Sequence, residues 1–229
     1  MRTKNFEIYD PENTVVRDAY AMLTANVHFS SDRSSIKTLA ICSCLPRVGK
    51  TTIAINLAIS MARSGWETML IDGDLRKPGD HKRLNSEDMP GLSEVIAGNA
   101  LLHDVLSFTN IPNLTYLSCG SKIQEPVELL CSAGFERLIA IVKETFDFIV
   151  VDTPALSSVI DGALIAAETD AVILVAQPGK TQLASLNRAK EQLENANANI
   201  LGVVMNQVEK RDYARYFESY NYFKKFNSK

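Results

Sequence analysis

The feature that most limits what this chain can fold into is a set of apolar runs without polar alternation. Thr38–Cys42, Leu114–Leu117, Ile200–Met205 and residues 68–71, 149–151 and 171–175 all read as strands. Strands with one wet face alternate apolar and polar residues, so runs like these predict a sheet covered on both faces. Between them lie residues at helical spacing: Val16, Ala19, Tyr20, Leu23 and Val27; Ile53, Leu57, Ala58 and Met61; Phe135, Leu138, Ile139 and Val142; and a helix around 183–193. The pattern predicts an α/β fold with a central, mostly parallel sheet flanked by helices on both faces. Right-handed crossovers then bring the strand ends to one edge, where such sheets bind ligands. Residues 76–112 are less regular, punctuated by Pro78, Gly79, Pro90, Gly91 and Gly98. No internal repeat or linker appears. The reading is one domain over 1–210, including an N-terminal helix capped by Asn13 or Thr14, and a tail over 211–229.

Composition narrows the function classes. A formal net charge of −3 over 229 residues argues against nucleic-acid binding as the main task. No apolar run approaches the roughly 20 residues of a bilayer span, and residues 1–7 lack the apolar core of a secretory signal. A cytoplasmic location is expected. Cys42, Cys44, Cys119 and Cys131 have no metal-finger spacing, and His28, His81 and His103 are scattered. The cysteines read as small core or loop residues.

Three stretches end strands with chemistry. In Leu45-Pro46-Arg47-Val48-Gly49-Lys50-Thr51-Thr52, Lys50 suits bridging β- and γ-phosphate oxygens, and Thr51 brings a hydroxyl to Mg²⁺. Gly49 lets backbone pass close to phosphate, and the next helix offers its first amides. A strict phosphate-loop pattern wants glycine six positions before Lys50, where Cys44 stands. The second stretch, residues 69–76, delivers Asp72, Asp74 and Arg76; the third, residues 148–154, delivers Asp152. A single Asp at a strand end is often a cap or turn residue. Three at successive strand ends of one phosphate-loop sheet read better as a metal and acceptor site. Arg76 is open to two partners, a phosphate or a neighbouring Asp.

At these residues the chain resembles the bacterial tyrosine kinases, phosphate-loop NTPases that control capsule and exopolysaccharide synthesis. Their modified Walker A, Walker A′ and Walker B motifs are matched by residues 43–51, by Ile71-Asp72-Gly73-Asp74-Leu75-Arg76-Lys77-Pro78 and by Val151-Asp152-Thr153-Pro154. Asp-x-Asp-x-Arg is the most discriminating element. Similarity extends to His81, Gly91-Leu92-Ser93, Glu128-Leu129-Leu130, Asp161, Gly179-Lys180-Thr181 and Val203-Val204-Met205-Asn206. The chain departs from the family at Arg47-Val48, where Gly-Glu is usual. It also has Asp18, Ala21 and Thr24 where the ring-forming Glu-x-x-Arg-x-x-Arg motif would stand, so both arginines are missing.

The resemblance implies Mg·ATP bound at residues 46–52, with Asn206 near adenine. Thr51, Asp74 and Asp152 would hold the metal, Asp72 would orient a tyrosine hydroxyl, and Arg76 would steady developing charge. It also implies a separate transmembrane activator, self-association for transfer between chains, and membrane contact only through that partner. Four of the seven tyrosines, Tyr213, Tyr216, Tyr220 and Tyr222, crowd the C-terminus as candidate acceptors. Their helical spacing, with Phe217, Lys224 and Lys225, also fits an amphipathic segment packed on the domain or on a membrane surface. Two rival functions remain at this stage. One is a partition- or division-site-type ATPase switch, although Leu45 occupies the position of that family's signature lysine. The other is a nucleotide-binding scaffold without transfer chemistry.

Overall fold

The computed structural model describes residues 5–6, 8, 13–30, 36–76 and 90–209. The four tail tyrosines, His81, Lys77 and Pro78 lie outside them. Among the described residues the strands are β1 (Asn5–Phe6), β2 (Thr38–Cys42), β3 (Thr68–Asp72), β4 (Ser107–Thr109), β5 (Leu114–Leu117), β6 (Phe148–Asp152), β7 (Ala171–Ala176) and β8 (Ile200–Met205). The helices are α1 (Thr14–Phe29), α2 (Lys50–Arg63), α3 (Leu92–Ile96), α4 (Leu102–Val105), α5 (Pro126–Leu130), α6 (Ala133–Thr145), α7 (Asp161–Ala167) and α8 (Leu183–Asn195). All strands join one sheet in the order β1-β4-β5-β3-β6-β2-β7-β8. Every neighbouring pair is parallel except β4 and β5. The predicted six strands are present; β1 and β4 add an edge too short to show periodicity.

Alternation along the strands explains the unbroken apolar runs. Leu39, Ile41, Leu70, Phe148 and Val150 point to one face and pack with α2, joined by Tyr20 and Leu23 of α1. On β3 and β6, Met69, Ile71, Ile149 and Val151 point to the other, against Phe135, Leu138 and Val142 of α6. Because successive residues face opposite sides, a polar one at either parity would be buried without a partner. Ala40, Cys42, Val172 and Leu174 form a third cluster with α7 and α8.

The amino-terminal edge of the sheet is tied by one side chain. Asp170 accepts from the Lys37 amide (3.0 Å), the Thr38 amide and hydroxyl (2.9 Å each) and the Lys143 ammonium (2.5 Å). Burial alone would raise its carboxyl, but these donors outweigh it and hold it below the ordinary range. Among the described residues no helix is long and apolar enough to cross a membrane. On α1, where the ring motif would lie, Asp18 and Ala21 are exposed while the Thr24 hydroxyl donates to Ser60 of α2 (2.9 Å).

Candidate active site

β2 ends at Cys42 and the chain turns through residues 43–49 into α2, whose N-cap is Gly49 at φ 92°, ψ 27°. No side chain caps this helix and its first turn holds no acidic residue, so neither a cap nor a first-turn carboxylate takes up its leading amides. Arg47 also takes positive φ (58°), a conformation that costs a non-glycine residue roughly 1–2 kcal/mol. Gly49 has a second constraint: a Cβ there would meet Asn206 Nδ2 at 2.1 Å. Asn206, just past β8, donates that Nδ2 to the Val48 carbonyl (2.9 Å). It therefore touches the loop backbone, the direct contact this structure records for the residue expected near adenine. Cys44, standing where the strict pattern has glycine, is buried at 3% exposure and packs in the third cluster.

The register of the sheet sets the acidic side of the site. Asp72 and Asp152 are partners across β3 and β6, at the last residue of each strand. Both are buried, at 1% and 3% exposure. The Thr51 hydroxyl donates to Asp152 Oδ2 at 2.5 Å, which joins the start of α2 to the end of β6. Beyond β3 the turn closes on the same strand: the Gly73 amide donates to the Asp152 carbonyl (2.8 Å) and the Asp74 amide to Asp72 Oδ1 (3.1 Å). A Cβ on Gly73 would stand 2.7 Å from the Asp152 carbonyl oxygen and 2.9 Å from Ile165 Cδ1. Glycine between the two aspartates is thus what lets the β3 turn lie against β6.

Pro46, Arg47, Gly49, Lys50, Thr51, Thr52, Asp74, Arg76 and Asp152 line one cavity of about 460 Å³. Val48 is fully buried beneath the loop. Asp72 does not line the cavity; by accepting the Asp74 amide it fixes the turn that carries Asp74 there. The open choice at Arg76 resolves toward carboxylate, though not toward its sequence neighbours. Its Nε and Nη2 grip Asp161 Oδ2 and Oδ1 at 2.7 and 2.9 Å, a two-point pair that raises the guanidinium pKa further. Asp161, at the first turn of α7, is 1% exposed, while Arg76 keeps a third of its side chain open to the cavity.

Among the described residues no three His, Cys, Asp or Glu side chains could hold a metal ion together. The donor set of Thr51, Asp74 and Asp152 still fits magnesium, a hard cation that usually keeps waters and takes one or two carboxylates plus phosphate oxygens. Cys42 and Cys119 are unsuited to nucleophilic work. Burial pushes the Cys42 thiol up to about 12. Burial also raises Cys119, and the adjoining Asp72 carboxylate adds to it.

Comparison with known proteins agrees with this geometry. The AAA domain family model matches residues 36–207. The tyrosine-protein kinase CpsD of Streptococcus pneumoniae serotype 4 is 39% identical over 193 residues, 83% of each chain. The kinase domain of Escherichia coli tyrosine kinase ETK superposes with a TM-score of 0.80 at 29% identity, covering 85% of this chain and 76% of that one. The septum site-determining protein MinD of Pyrococcus horikoshii, complexed with Mg-ADP, superposes with a TM-score of 0.62 over 78% and 76% of the two chains. At 24% identity that likeness speaks for the fold alone. With a phosphate loop, a paired-aspartate turn and relatives of this similarity, the chain belongs to the bacterial tyrosine kinases.

Proposed function

We propose that this chain is an ATP-dependent protein-tyrosine kinase that phosphorylates its own C-terminal tyrosine cluster and thereby regulates capsule or exopolysaccharide synthesis. The observation that carries the reading is the single cavity shared by Lys50, Thr51, Asp74 and Asp152, with Asp72 beside Asp152 in register. The amides of residues 47–52 bind the triphosphate, and Lys50 offsets charge on the γ-phosphoryl group as it moves in line to the acceptor. Thr51, Asp74 and Asp152 would hold magnesium, which when bound neutralises phosphate oxygens. Asp72, at the end of β3 in register with Asp152, would orient the incoming tyrosine hydroxyl. A carboxylate with a pKa near ~4 does not fully deprotonate a phenol near ~10, so Asp72 positions the hydroxyl and takes its proton late. Arg76, held by Asp161, faces the developing charge.

The acceptor assignment is supported by position and by the burial of two of the three tyrosines outside the tail; the third, Tyr9, lies outside the described residues. Tyr116 is fully buried and Tyr20 is half-buried against α2. The tail departs from β8, whose carboxyl end lies beside the phosphate loop at Asn206. Transfer runs between neighbouring chains, and a transmembrane activator brings the kinase to the inner face of the membrane. The test mixes two full-length variants with Mg·ATP. A donor carries Phe at Tyr213, Tyr216, Tyr220 and Tyr222; the acceptor is Lys50→Met with its tail intact. Phosphotyrosine on the Lys50→Met chain is expected. Phosphate release with neither chain labelled would favour an ATPase switch, and nucleotide binding with no chemistry would favour a scaffold.

A further inference from the structure

Two side chains on the far side of the phosphate loop hold its carbonyls, and the loop's backbone conformation gives those contacts a consequence. Arg47 and Gly49 take positive φ, 58° and 92°, with Val48 between them at negative φ. Alternating hands along a short backbone stretch make successive amides converge into an anion-binding concavity. In each peptide plane the carbonyl and the following amide point in opposite directions. Holding the Arg47 and Val48 carbonyls outward therefore aims the Val48 and Gly49 amides inward.

Both carbonyls are held. Asn206 Nδ2 donates to the Val48 oxygen (2.9 Å) and Lys180 Nζ to the Arg47 oxygen (3.2 Å). Neither donor sits on a loose support. The Asn206 amide is tied to the Ala176 carbonyl (2.8 Å). Lys180 rides on a turn after β7 in which the Lys180 and Thr181 amides donate to the Gln177 carbonyl (3.2 and 2.9 Å), while the Thr181 hydroxyl accepts from the Gln177 amide (3.0 Å). Gly179 makes that turn possible at φ 72°.

We infer that Asn206 and Lys180 are positioning residues which fix the amides of the phosphate loop from behind, so that Asn206 acts on phosphate recognition rather than on the base. This rests on the nucleotide-site reading above. It assigns a task to a lysine that lies over 130 residues from the loop in sequence.

The test uses the full chain and the variants Asn206→Ala, Lys180→Met and Lys180→Arg. Hydrogen exchange at the amides of residues 47–50 is followed without nucleotide. Affinities for Mg·ADP and for inorganic tripolyphosphate are then measured by displacement of a fluorescent ADP. Loss of one such hydrogen bond speeds exchange and weakens both ligands by about three- to tenfold, with the larger effect for the half-buried Asn206. Lys180→Arg, which keeps a donor, restores both. Unchanged exchange in the alanine and methionine variants overturns the inference, because a group that only touches ligand has no effect in its absence. ADP weakened with tripolyphosphate unaffected also overturns it, and returns Asn206 to the adenine. If the parent binds neither ligand, the site reading itself fails, while the exchange data still report on the clamp.

Discussion

Gly49→Ala examines the loop at the point where backbone and packing constraints coincide. Two separable costs follow from the structure. Alanine at φ 92° carries the left-handed penalty of roughly 1–2 kcal/mol. Its Cβ would also stand 2.1 Å from Asn206 Nδ2, so Asn206 must turn away and give up its bond to the Val48 carbonyl, about 1 kcal/mol more. The sum is about 2–3 kcal/mol. Removing the clashing group first isolates the second term. In an Asn206→Ala background, Gly49→Ala is expected to cost only the backbone share, about 1–2 kcal/mol. The coupling energy, about 1 kcal/mol, comes from a double-mutant cycle by urea unfolding of the nucleotide-free chain. Equal costs in both backgrounds would refute the contact. A Gly49→Ala cost below about 0.5 kcal/mol in the parent would refute the conformational reasoning as well.

Arg47→Gly is expected to stabilise the nucleotide-free chain by about 1 kcal/mol, since glycine accepts φ 58° without penalty; unfolding by urea would register it, and destabilisation would contradict the left-handed assignment. Asp170→Ala is expected to cost about 3 kcal/mol, because it strands the Lys37 and Thr38 amides and an ammonium partner. The Asp170 carboxyl is lower in the folded than in the unfolded chain, so its contribution is complete above the unfolded value of about 4 and is lost as pH falls through the folded one. Stability of the parent against Asp170→Asn, compared from neutral pH down through that window, should converge at the acid end.

The central strands were legible because burial on both faces leaves little besides apolar residues: residues 38–42 and 148–151 can hardly be read otherwise. The acidic strand ends were legible for the complementary reason, that Asp72 and Asp152 interrupt such runs at the edge where ligands bind. What stayed hidden depended on contacts distant in sequence. Asp161 stands 85 residues from Arg76, and nothing local in Ala- and Gly-rich α7 announces a partner for a guanidinium. The role of Gly73 is set by a carbonyl of β6, not by a turn type. Lys180 looks like any exposed turn lysine until the loop is folded beneath it. Of the short edge strands, β1 holds two residues and β4 three, less than one repeat of a readable pattern.

The most direct measurement is peptide mapping by mass spectrometry of the purified full chain after incubation with Mg·ATP, with Lys50→Met treated in parallel. Phosphate on Tyr213, Tyr216, Tyr220 and Tyr222 in the parent, and none in Lys50→Met, is the predicted result. Phosphate liberated to water while every tyrosine stays unmodified would contradict it.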